Sequence, residues 1–136
     1  MDIGRVRTGI AVSDPNQRVA SALTVIATAQ LVGGSVDFQR LIGDYQDITL
    51  LAGLPVSMDG KEHAQAAWVR ETAEAIASRY QLPVVFYDER RSTAQAEAVM
   101  REMGYNARTM RGKIDMVAAS IFLQGYLDSL HKEDRL

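Results

Sequence analysis

The sequence predicts an α/β domain built as three layers, with a mixed sheet between helices. Three observations predict it. The N-terminal part alternates polar and apolar residues in two successive runs. Two later runs, 48–54 and 82–89, are almost continuously apolar, as parallel strands buried on both faces are. Helical periodicity fills the stretches around those runs, and strand–helix–strand alternation points to layered α/β packing.

The elements follow in order. Residues 5–14 (RVRTGIAVSD) alternate through Val6, Thr8, Ile10 and Val12, with the small Gly9 and Ala11 opposite, which reads as a strand. Pro15 and Asn16 turn the chain into a second strand over 19–26. Gly33 and Gly34 break the chain before a short amphipathic helix over 36–45, with Phe38, Leu41, Ile42 and Tyr45 on one side. The run ITLLAGLP gives a buried strand ending in Gly-Leu-Pro. A helix over 62–79 then places Ala66, Val69, Ala73, Ile76 and Ala77 on one stripe. The second buried strand, 82–89, stops at two acids, Asp88 and Glu89. Ser92 with Gln95 three residues on is a capping-box pattern, so a helix starts there and ends at Gly104. Residues 105–112 read as a polar, basic loop, and 113–129 as the last helix.

Composition narrows the function classes. There is no cysteine, which excludes disulfides, Cys-ligated zinc and a thiol nucleophile, and suits a cytoplasmic protein. The first residues, MDIGRVRTG, lack the apolar core of a signal peptide. No window reaches the ~18 consecutive apolar residues of a membrane helix. Net charge is −2, so a nucleic-acid partner would have to be met by a local patch. Residues 90–113 offer one: six basic residues against two acids, a local charge of +4. The basic residues are twelve Arg against three Lys; Arg presents a planar fork to phosphate, and a GC-rich genome also favours it.

Three acids stand where chemistry could be carried: Asp2 in D-I-G, Glu89 at the carboxyl end of a buried strand, and Asp115 in the first turn of the last helix. Taken singly, each suits an ordinary role. Asp2 suits a solvated terminus, Asp88 and Glu89 suit a charge-neutralised strand end, and Asp115 suits helix-dipole compensation. Taken together, carboxylates from separated elements suit metal-assisted phosphodiester hydrolysis, because Mg²⁺ and Mn²⁺ prefer hard oxygen donors. Arg5, Arg7, Arg90, Arg91, Arg108, Arg111 and Lys113 are the candidate phosphate contacts, some of them equally suited to surface ion pairs. Tyr105 suits either packing under the basic loop or stacking on an unpaired base. Trp68 reads as a packing residue, and His63 and His131 carry little signal.

Four segments bear on the choice between these roles. D-I-G-R-V-R-T-G-I-A-V-S-D (2–14), G-L-P-V-S-M-D-G (53–60), D-E-R-R-S-T-A-Q-A (88–96) and K-I-D-M-V-A-A-S-I-F-L-Q-G-Y-L (113–127) resemble, in order, the motifs of the YqgF family, also called RuvX. The resemblance covers nearly the whole chain. It implies a single RNase H-like domain over 1–136, with a mixed five-stranded sheet and helices on both faces. It also implies a nuclease that processes the 5′ end of the pre-16S rRNA, although some members look like junction resolvases or general ribonucleases. By matching motif, Asp2, Glu89 and Asp115 would be the catalytic, metal-binding carboxylates for Mg²⁺ or Mn²⁺. Asp88, pointing to the other face of its strand, would not be a ligand.

Two departures accompany the resemblance. In the family an apolar strand precedes the first Asp, whereas here only Met1 precedes Asp2, so the expectation is a truncated first strand or a misassigned start. Relative to RuvC-like resolvases, the strand over 48–54 carries no acid and Ala118 follows Asp115 at the third position, leaving three acids. The expected partners are structured pre-rRNA or branched DNA, met by a monomer or homodimer without a membrane. Two other classes compete. A catalytically silent nucleic-acid-binding module would lack a carboxylate-dependent metal site. A sugar-kinase or actin-like ATPase would need a second domain and a glycine-rich phosphate loop that this sequence does not show.

Overall fold

A computed structural model of the chain describes residues 1–55, 63–88, 92–110 and 112–131, with backbone alone for 92–94. The strands are β1 (Asp2–Ile3), β2 (Arg7–Ser13), β3 (Ala20–Ala27), β4 (Leu50–Leu54) and β5 (Val84–Asp88). The helices are α1 (Thr28–Gly33), α2 (Val36–Gly43), α3 (Ala64–Tyr80), α4 (Ser92–Glu102), α5 (Ala107–Met110) and α6 (Ile114–Leu130).

The expected single five-stranded sheet is corrected to two: an antiparallel β1-β2-β3 sheet and a parallel β4-β5 pair. The reason is the length of β1. Its two residues pair with β2 as Asp2↔Gly9 and Ile3↔Thr8, and the hydrogen bonds to β4 fall one residue earlier, at Met1. Met1 reaches across. Its ammonium donates to the Leu51 carbonyl at 2.6 Å, and its carbonyl accepts from the Gly53 N–H at 3.3 Å.

Period-two alternation divides the strand residues between two apolar clusters. Ile3, Ile10, Leu50, Ala52 and Leu54 join Val69, Ala73 and Ile76 of α3 and Phe38 of α2 in the larger one. Leu51 turns the other way, packing with Ala119 and Phe122 of α6 beside Ala11 and Tyr87. Helices thus cover both faces, and the protein is a mixed α/β structure as its pattern predicts.

Local chemistry sets the ends of the helices. The Ser35 hydroxyl caps α2 by accepting from the Phe38 N–H at 3.1 Å. Gly104 ends α4 at φ 91°, a conformation open to glycine without strain. The segment read as a loop over 105–112 contains a helical turn, α5. Asn106 Oδ1 accepts from the Thr109 N–H at 3.0 Å, and Thr109 Oγ1 accepts from the Asn106 N–H at 2.8 Å, a reciprocal cap. Helix α1 was not expected either. Arg79 closes its C-terminal end, donating to the carbonyls of Val32 and Gly33.

The turn between β1 and β2 is fixed from below. The Gly4 N–H donates to the Arg7 carbonyl at 2.9 Å, and the Thr28 hydroxyl donates to the Gly4 carbonyl at 2.6 Å. Thr28 has one hydroxyl proton, so the 2.8 Å contact between the buried Thr8 and Thr28 hydroxyls is donated by Thr8.

Candidate active site

Asp2 and Asp115 come together through a glycine. Asp2 lies directly opposite Gly9 in the β1-β2 ladder, so the two share a face, with α-carbons ~4.5–5.5 Å apart. On that face α6 approaches so closely that a Cβ on Gly9 would lie 2.0 Å from the Asp115 carbonyl oxygen and 2.6 Å from the Met116 nitrogen. The first turn of α6 therefore rests on β2 at the position that pairs with Asp2. Ile3, the next residue of β1, is buried on the opposite face with α3, as alternation requires. Two predicted carboxylates, 113 positions apart in sequence, occupy one small region beside β1.

Arg7 opens β2 and reaches the same place. Its Nε donates to Asp115 Oδ2 at 3.2 Å, with the two side chains 48% and 25% exposed. A half-exposed ion pair of this kind contributes little to stability, ~0–1 kcal/mol, but it fixes where a positive group meets this carboxylate.

The other described basic candidates are Arg5, Lys113 and Arg108. Arg5, in the β1-β2 turn, lays its guanidinium 4.1 Å from the centre of the Trp68 ring, and its Nη2 donates to Gln65 at 3.4 Å. Lys113 precedes α6 and sits 5.4 Å from the Tyr105 ring centre. Arg108 is exposed on α5. Arg101, in contrast, pairs with Glu97 along α4 at 3.6 Å. His63 is exposed at the start of α3, and the His131 ring meets the Gln17 carbonyl at 2.9 Å.

Glu89, Arg90, Arg91 and Arg111 lie outside the described residues. Asp88 is exposed at the end of β5 and pairs with Leu54, which faces the α3 side, whereas Tyr87 before it packs against Tyr126 of α6. Asp88 thus points away from the face that Asp2 and Asp115 share. Among the described residues no three His, Asp or Glu side chains gather into a metal-ligating group, and the third expected ligand, Glu89, is not one of them. The donors present are carboxylate oxygens, and Asp115 already faces a positive group. Both properties fit a hard divalent cation rather than a soft one.

Sequence reasoning missed the part played by Gly9 and the binding of Arg7 to Asp115. The first had a visible signal: Gly9 and Ala11, small residues on alternate positions, mark the face where another backbone comes close. Trp68 does pack against the core, and it also holds Arg5, which its periodicity does not reveal.

A family model described as "RuvX: Holliday junction resolvase" matches residues 1–129. The chain belongs to the RuvX family. RuvX membership implies the RNase H-like fold for this mixed α/β chain. A relative from Anaeromyxobacter sp. (strain Fw109-5), named "Putative pre-16S rRNA nuclease", is 38% identical over 131 residues, covering 96% of both chains. Relatives of the same name from Roseiflexus sp. (strain RS-1) and Chloroflexus aggregans are 38% and 35% identical over 129 residues. Each of those two alignments covers 95% of this chain. Among the described residues, no helix is long and apolar enough to cross a membrane.

Proposed function

We propose that this chain is a metal-dependent endonuclease that hydrolyses phosphodiester bonds in structured RNA, at the 5′ end of the pre-16S rRNA. The observation that carries the reading is the placement of Asp2 and Asp115 on one face, brought together by Gly9, with Arg7 at their edge. The names of the relatives support the RNA substrate.

Asp2 and Asp115, with Glu89 as the expected third, would hold Mg²⁺ or Mn²⁺, which lowers the pKa of bound water and neutralises charge on the leaving oxygen. The remaining work falls to the chain's own groups. Arg7 stands where it can take up a phosphate oxygen next to the carboxylates. Arg5 is held over Trp68, so less side-chain freedom is lost when it meets a second phosphate. Lys113 and Arg108 extend positive charge along the side where the chain enters α6. The reading calls for a cytoplasmic protein acting as a monomer or homodimer.

Cleavage of a labelled pre-16S 5′ leader and of a four-way DNA junction, side by side in Mg²⁺, Mn²⁺ or chelator, tests it. Cation-dependent cutting of the RNA is the expected result. The description of the matching family favours a second reading, junction resolution, and cutting confined to the junction would establish that one. Cutting of neither, without a carboxylate-dependent metal site, would make the chain a silent binding module.

A further inference from the structure

We infer that Arg7 is a positioning residue that occupies Asp115 until nucleic acid arrives, so that cation and substrate bind cooperatively. The inference rests on the metal-dependent reading above. One Asp115 carboxylate oxygen, Oδ2, accepts from Arg7 Nε at 3.2 Å. A cation taking that oxygen must displace the guanidinium or share the carboxylate with it. Arg7 is the more exposed partner and sits at the first position of β2, where its side chain can swing without disturbing the buried Thr8 behind it. The Asp115 backbone sets where its carboxylate starts from. That backbone is seated on Gly9 with no room for even a Cβ between them.

A phosphate can take the guanidinium in a two-bond fork, whereas Asp115 holds it through a single Nε bond at 3.2 Å. When Arg7 transfers to phosphate, Asp115 Oδ2 is released where a cation is wanted. Linkage makes the effect mutual: nucleic acid tightens cation binding by the same factor that the cation tightens nucleic acid.

The test is Mn²⁺ affinity, read from the EPR signal of free Mn²⁺, with and without a short RNA hairpin. Wild type, Arg7→Gln, Arg7→Lys and Asp115→Asn would be compared, each first checked for a wild-type thermal melt. The expected result is that Arg7→Gln binds Mn²⁺ about two- to fivefold more tightly than wild type without RNA, the range for removing a competing exposed ion pair. Its gain in affinity on adding RNA should also be smaller than that of wild type. Arg7→Lys keeps the charge but not the fork, and should retain weak Mn²⁺ binding with a reduced gain from RNA. An Arg7→Gln affinity equal to that of wild type, or an equal gain from RNA in both, overturns the inference while leaving the metal site standing. Wild-type Mn²⁺ binding that Asp115→Asn does not weaken overturns the metal reading and the inference together.

Discussion

Replacing Gly9 by alanine adds one methyl group where the structure has no space for it. The new Cβ would meet the Asp115 carbonyl oxygen at 2.0 Å, its carbon at 2.1 Å and the Met116 nitrogen at 2.6 Å. All three atoms are backbone in the first turn of a 17-residue helix, so no side chain can rotate out of the way. Ordinary contact needs ~3.4–4 Å. The start of α6 must therefore lift off β2 by more than ~1 Å. Such overpacking costs ~1–3 kcal/mol, a fall in Tm of roughly 3–15 °C for a chain of this size. The larger effect falls on chemistry. Asp115 moves with the helix, and a ~1 Å misplacement of a reacting group can cost ~10²-fold in rate. Thermal denaturation and RNA cleavage, measured on Gly9→Ala at a temperature where it is fully folded, separate the two effects. Gly43→Ala is the matched control, since no atom lies within 4 Å of a Cβ there. Gly9→Ala with a wild-type melt, or with full activity when folded, would refute the claim that this contact sets the position of Asp115.

Other outcomes follow from the same structure. Thr28→Val removes the donor to the Gly4 carbonyl and the acceptor for the buried Thr8 hydroxyl, and should destabilise the protein by about 1–3 kcal/mol in urea titrations. Phe38→Ala empties a site that is 2% exposed and loses the edge contact with Tyr80. It should cost about 3–5 kcal/mol while leaving Mn²⁺ affinity unchanged at a temperature where the variant is folded. The Asp14 carboxylate accepts from the N–H groups of Val19 and Arg18 at 2.9 and 2.7 Å, and these bonds hold its pKa below the ordinary carboxylate value. A lowered folded-state pKa means that its stabilisation is present above the unfolded value of ~3.9 and is lost as pH falls through the folded one. Asp14→Asn should therefore flatten that part of the acid limb of a stability–pH curve.

The strands and long helices were legible from their apolar patterns, although β5, read as buried on both faces, is part-exposed, with Val85 at the surface. The runs at 48–54 and 82–89 each read as strands, and β4 and β5 lie within them. Alternation through Val6, Thr8, Ile10 and Val12 located β2, and the stripe from Ala66 to Ala77 located α3. The short helices were not legible. Helix α5 depends on the reciprocal bonds of Asn106 and Thr109, and α1 on a long-range cap from Arg79, neither of which has a periodicity. The shortness of β1 was expected from the sequence, but its consequence, the division of the sheet, was not drawn. At the candidate site, residue types pointed to Asp2 and Asp115, but their meeting depends on the clearance above Gly9. The pairing of Arg7 with Asp115 spans 108 positions and leaves no trace in local sequence.

On the proposed function, the carboxylates on the α6 face, and not the neighbouring acid on the other face, carry phosphodiester cleavage. Single-turnover cleavage of the RNA leader in Mg²⁺ by wild type, Asp115→Asn and Asp88→Asn tests it most directly. A loss of about a hundredfold or more is expected for Asp115→Asn, and a rate near that of wild type for Asp88→Asn. Undiminished cleavage by Asp115→Asn, with Asp88→Asn inactive, would contradict it.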